Sequence, residues 1–169
     1  MSAIEPVGNA GLRWLWLSAA VIVLDQLTKF VIVQSFALYD VVEVLPIFDL
    51  TRLHNTGAAF SLLATASGWQ RWFFVGVALG VSALIIHWLR TLPREGGARS
   101  GCALALVMGG ALGNVIDRLY HGYVVDFLHF HWDGAYFPAF NVADSCITVG
   151  AGLLILDAIL EGHSKREGS

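Results

Sequence analysis

The chain is short of charge. Asp, Glu, Lys and Arg make up only 14% of its 169 residues, where a soluble domain carries about 25%. So few charges cannot cover the surface of a water-soluble domain. The 56% hydrophobic content and the mean hydropathy of +0.66 point instead to lipid as the main solvent. The net charge of −3 comes with no basic stripe, which excludes a nucleic-acid partner. Cysteine is scarce too: Cys102 and Cys146 both lie in apolar runs and offer no disulfide framework. An H-E-x-x-H zinc motif and a G-x-S-x-G nucleophile elbow are both missing. His129 and His131 form an H-x-H, but no Cys or Glu cluster accompanies them, so they read as interfacial packing. No metal site is expected.

What is present is long apolar sequence. Four runs cover Trp14–Val33, Trp72–Leu89, Gly101–Tyr120 and a stretch from Ala139 to Leu160. Each is near the roughly 20 residues that cross a bilayer core, and spanning backbone must satisfy its own hydrogen bonds as helix. The first run reads as retained rather than as a signal peptide, because it carries Asp25 and Lys29 and three more spans follow. One domain is expected over residues 1–169: an all-α membrane protein of four transmembrane helices. Between the first two, "YDVVEVLPIFDLTRLHNTGAAF" is β-branched and aromatic and predicts a small β-structured lobe. Between the last two, "VVDFLHFHWDGAYF" predicts an interfacial segment.

Lys and Arg placement sets the orientation. Arg90, Arg94 and Arg99 share one loop, and Arg13, Lys165 and Arg166 lie in the tails. The other two loops hold only Arg52 and Arg71, beside Asp40, Glu43, Asp49 and Asp133. Both termini are therefore expected in the cytoplasm and the lobe outside. Ala105, Gly109 and Gly113 are spaced four apart, as are Gly76 and Gly80, which predicts close helix packing at both sets.

Ionisable residues inside spans are costly and mark functional candidates. Asp25 and Lys29 are four apart, the spacing of an intrahelical ion pair. Asn114, Asp117 and Arg118 share a face, with Arg118 placed to pair with Asp117 or to reach lipid head groups. These groups read first as structural support. Asp157 falls at the cytoplasmic end, where it reaches water. Cys146 reads as a small packing residue. Ser61 and His54 flank "NTGAA" and give only a weak hint of a serine nucleophile.

Asp126 and Asp144 differ, since neither has a basic residue three or four positions away. Asp144 sits about 9 Å into the last run from Pro138, and Asp126 just follows the third run, so both fall at one outer depth. Two carboxylates meeting in a low dielectric share a proton and can divide acid and base work. Ion pairing and proton conduction fit the same spacing, as in a small proton-coupled transporter, although no internal repeat is present.

Five stretches in order narrow this choice: "DQLTK" from Asp25, "NTGAAFSLL" from Asn55, "GGALGNVIDR" from Gly109, "VVDF" from Val124 and "FNVADSCI" from Phe140. Together they resemble the lipoprotein signal peptidases (type II signal peptidases) of bacteria, from first span to last. The resemblance implies a four-helix aspartyl endopeptidase of the inner membrane with its site near the outer face and no cofactor. Its substrates would be diacylglyceryl-modified prolipoproteins, cut before the lipidated cysteine. The catalytic pair would fall on Asp126 and Asp144. Support and substrate-binding roles would fall on Asp25, Lys29, Asn55, Gly57, Asn114, Asp117, Arg118, Asn141 and Ala143. The family's lobe corresponds to Tyr39–Ser61.

Overall fold

Four helices carry the apolar runs: α1 (Leu15–Ser35), α2 (Trp69–Thr91), α3 (Ala98–Tyr120) and α4 (Val142–Glu167). The structure, a computed structural model, describes residues 10–57, 68–93 and 97–167, with 161–167 as backbone alone. Ser61, Arg94 and the side chains of Lys165 and Arg166 therefore lie outside the described residues. All four helices are long and apolar enough to cross a membrane. The chain is a multi-pass membrane protein, mostly helical, with one small antiparallel sheet.

The central helix is α3. It buries 56% of its apolar window against 28%, 22% and 11% for α1, α2 and α4. Small residues make that possible. Ser18 on α1 donates a 2.9 Å hydrogen bond to the Ala105 carbonyl. A Cβ added at Gly109 would lie 2.8 Å from Val21 Cβ, and one at Gly113 would lie 2.7 Å from Asp25 Oδ2. The neighbouring Gly110 abuts the Ala143 carbonyl of α4. Close backbone approach is thus spent on α1 and α4. Gly76 and Gly80 behave differently from expectation, because a Cβ at either would meet nothing within 4 Å among the described residues. The α2 side of the interface is built from Ile85 and Leu89 packed on Leu104 and Met108, so four-residue spacing on α2 falls on a face without neighbours.

The sheet caps one end of the bundle. Its strands are β1 (Val41–Leu45), β2 (Phe48–Asn55), β3 (Val124–Trp132) and β4 (Ala135–Tyr136), in that order. Antiparallel pairing sets Leu53 opposite Asp126, His54 opposite Val125 and Asn55 opposite Val124. The segment between α3 and α4 therefore does more than lie at an interface: it supplies half the strands. Its first four residues, Val124 to Phe127, are all buried, with Val125 and Phe127 on Ile32 of α1. A strand covered on both faces loses the alternation that marks strands in sequence.

The arginines of these loops are used locally. Arg52 donates to the Val33 and Phe36 carbonyls at the end of α1, at 3.2 and 2.9 Å. Arg71 donates to Leu119 at the end of α3, at 2.8 Å. Both satisfy carbonyls that a helix C-terminus leaves open. At the opposite end Asp157 does not stand free in water: it pairs with Arg99 at 2.9 Å and accepts from the Ser100 hydroxyl, joining α4 to α3.

Replacing Gly109 by Val is expected to destabilise the protein by about 1–3 kcal/mol through overpacking. Gly76→Val should stay within about 0.5 kcal/mol. Unfolding in detergent, followed for both variants, checks the contrast.

Candidate active site

The site is built where α4 begins, against the buried start of β3. Asn141 precedes α4 and caps it. Its carbonyl accepts from Ser145 N–H, and its Oδ1 accepts the Asp144 N–H at 2.9 Å. This is the hydrogen bond that an asparagine N-cap makes to the third helical residue. The N–H of Ala143, another open donor of the first turn, is taken by Asp25 Oδ1 of α1 at 2.9 Å. Two elements thus fix the first turn that carries Asp144.

The remaining amide of Asn141 faces the other carboxylate. Its Nδ2 donates to Asp126 Oδ1 at 2.8 Å, while Asn55 Nδ2 donates to Asp126 Oδ2 at 2.9 Å. The Gly57 N–H holds Asn55 Oδ1 at 3.0 Å, which leaves the amide nitrogen for Asp126. Asn114 plays the same part for Asp144, giving Nδ2 to Asp144 Oδ1 at 2.8 Å. Its Oδ1 accepts from the Lys29 ammonium at 2.9 Å.

Behind Asn114 lies a buried charge cluster. Lys29, 3% exposed, binds Asp25 at 2.8 Å and Asp117 at 3.0 Å. The spacing of Asp25 and Lys29 predicts their pair, and it forms. Asp117 pairs with Lys29 and accepts Val125 N–H at 3.0 Å, so it is unavailable to Arg118. The guanidinium of Arg118 instead donates to the Gly57 and Asn114 carbonyls, at 3.1 and 3.3 Å, and lies 4.9 Å over the Phe74 ring. Gln26 belongs to the cluster as well, donating to Asp117 Oδ1 at 2.8 Å. Sequence reading missed it: one position from Asp25, it falls on a different helical face from the pair.

Asp126 and Asp144 both line one cleft of about 1040 Å³. Asn55, Gly57, Asn114 and Arg118 add polar wall, and Phe137, Pro138, Phe140, Ile147 and Val149 add apolar wall. The eleven residues to which the family resemblance gives roles all fall in this cleft or the network directly behind it. Burial and the nearby Asp144 carboxylate push the Asp126 carboxyl up to about 7, against the hydrogen bonds from Asn55 and Asn141 and the Lys29 charge. Such a group exchanges protons near neutrality. Away from the cleft floor, His129 and His131 both face Tyr136, and His131 meets Asp49 at 3.2 Å.

The family model described as signal peptidase (SPase) II matches residues 17–160. The chain belongs to the signal peptidase II family. Every residue of the site lies inside the matched stretch. The lipoprotein signal peptidase of Shewanella woodyi is 56% identical over 151 residues, covering 89% of this chain and 85% of that one. That of Haemophilus influenzae is 51% identical over 157 residues, covering 93% and 91%. A bacterial membrane enzyme solved by the in meso method superposes with a TM-score of 0.76 at 31% identity, over 90% of each chain. Family membership implies a protease.

Lys29→Met should be strongly destabilising, by about 3–5 kcal/mol, because it leaves Asp25 and Asp117 buried without a cation. Chemical unfolding in micelles measures the loss.

Proposed function

We propose that this protein is an aspartyl endopeptidase that removes signal peptides from diacylglyceryl-modified prolipoproteins, cutting before the lipidated cysteine. The observation that carries the reading is the double role of Asn141. One side chain holds the Asp144 backbone with its oxygen and the Asp126 carboxylate with its nitrogen. Two carboxylates from different elements are thereby held at one cleft, one of them titrating near pH 7.

The chemistry follows from a shared proton. The ionised carboxylate takes a proton from water as the water oxygen attacks the scissile carbonyl. The protonated carboxyl gives its proton to the carbonyl oxygen. As the gem-diol collapses and its C–N bond breaks, the carboxyl that took the water's proton gives it to the departing cysteine amine, while the other, now ionised, takes back a hydroxyl proton as the new carboxylic acid forms. Bond making and breaking thus need no metal and no organic cofactor.

The apolar wall beside the dyad suits a lipidated substrate, whose acyl chains stay in the bilayer while the peptide bond reaches the polar floor. The bacterial inner membrane is the proposed location, with both termini in the cytoplasm and the cleft near the outer face. The charge asymmetry of the loops supports that orientation.

Asp126→Asn and Asp144→Asn should each abolish cleavage of a lipidated preprotein in a gel-shift assay while the variants still insert and fold. The unlipidated preprotein should be cut poorly by the unaltered enzyme. Near-normal cleavage by either variant overturns the dyad.

Asn55 donates to the ionised form of Asp126, so its loss disfavours that form and raises the Asp126 value above about 7. The alkaline limb of the pH–rate profile of Asn55→Ala should accordingly move to higher pH. A limb that stays in place, or moves down, contradicts the assignment.

A further inference from the structure

His54 stands in the cleft wall next to Asn55, yet it takes no part in the chain of amides that holds the two carboxylates. Its ring packs on aromatic neighbours. It stacks on Tyr123 with centroids 3.7 Å apart and planes 16° apart, and Tyr123 stacks in turn on His121 at 5.3 Å. The Nε2 atom is buried and has no hydrogen-bond partner among the described residues. A buried polar nitrogen without a partner is costly. Burial lowers the pKa of His54, and the charges of Arg52 and His121 lower it further, so the imidazole is neutral at pH 7.

We propose that His54 is a substrate-binding residue whose Nε2 hydrogen-bonds a carbonyl oxygen of the bound substrate. The inference rests on the peptidase reading above and adds a contact to it. A neutral imidazole N–H matches an uncharged carbonyl. An anionic head group would call for an imidazolium, which the local charges disfavour. A diacylglyceryl peptide offers two such acceptors: the backbone carbonyls near the scissile bond and the glyceryl ester carbonyls.

His54→Phe keeps a flat ring on Tyr123 and removes the nitrogen, and His54→Gln returns an N–H. Each full-length variant would be assayed in micelles on ester-linked diacylglyceryl and ether-linked dialkylglyceryl preproteins. Asp126→Asn serves as the inactive control. The expected result is a roughly tenfold fall in kcat/KM for His54→Phe, mainly through KM, partly restored in His54→Gln. The alkaline limb of the pH profile should stay where it is. A fall on both substrates assigns the bond to a backbone carbonyl, and a fall on the ester substrate alone assigns it to an ester. Unchanged kcat/KM on both overturns the proposal, as does a shifted limb, which would mean that His54 acts through Asp126. Residual cleavage by Asp126→Asn would instead overturn the dyad reading and this contact with it.

Discussion

A buried ammonium is the constraint from which the rest of the site follows. Lys29 lies in the bundle interior, where an unpaired charge is prohibitive, and it is stabilised by Asp25 from its own helix and Asp117 from α3. Each of those carboxylates also accepts a backbone N–H, Asp25 through its other oxygen and Asp117 through the oxygen that meets Lys29. Asp25 takes the Ala143 N–H at the start of α4, and Asp117 takes the Val125 N–H at the start of β3. One cation thus fixes the relative position of four elements. The two that it ties indirectly, α4 and β3, are those bearing Asp144 and Asp126.

Three asparagines convert that scaffold into carboxylate-facing donors. An amide side chain has an accepting and a donating end, and its neighbours decide which end faces which way. Here each oxygen meets a group that can only donate: the Lys29 ammonium for Asn114, the Asp144 N–H for Asn141 and the Gly57 N–H for Asn55. Each nitrogen is left to face Asp126 or Asp144. Aspartate in place of any of them would set carboxylate against carboxylate. A hydrophobe would leave the facing oxygen bare. The preference for asparagine is therefore a matter of polarity.

Short-range relations and the shared depth of Asp126 and Asp144 were legible in the sequence, while most side-chain pairings between elements were not. Asp25 and Lys29 are read as a pair because a helix sets residues four apart side by side, and the Gly109 and Gly113 spacing points correctly to tight packing. The same spacing at Gly76 and Gly80 misleads, since periodicity shows a shared face without showing what that face meets. Lys29 with Asp117 joins residues on separate helices, and only the packed bundle reveals it. Likewise, "VVDFLHFHW" hides its strand character because Val124 to Phe127 are covered on both sides. Asp157 is found against Arg99 for a similar reason: its position along the helix was readable, but its azimuth toward α3 was not.

How each polar group spends its bonding capacity separates the groups behind the cleft from those that border it. Asp25, Lys29 and Asp117 direct their bonds to one another, to backbone and to amides, and they do not line the cleft. A charge satisfied in this way holds parts together and has little left to offer a substrate. Asp144 bonds Asn114 through Oδ1, its Oδ2 accepts nothing among the described residues, and it borders the cleft. His54 likewise borders the cleft with a buried nitrogen unmatched. In a membrane protein such open valences are expensive, because neither lipid nor protein supplies the missing partner. On the proposed reading a substrate entering the cleft completes them, beside Asp126, whose carboxyl burial and the Asp144 charge push up to about 7.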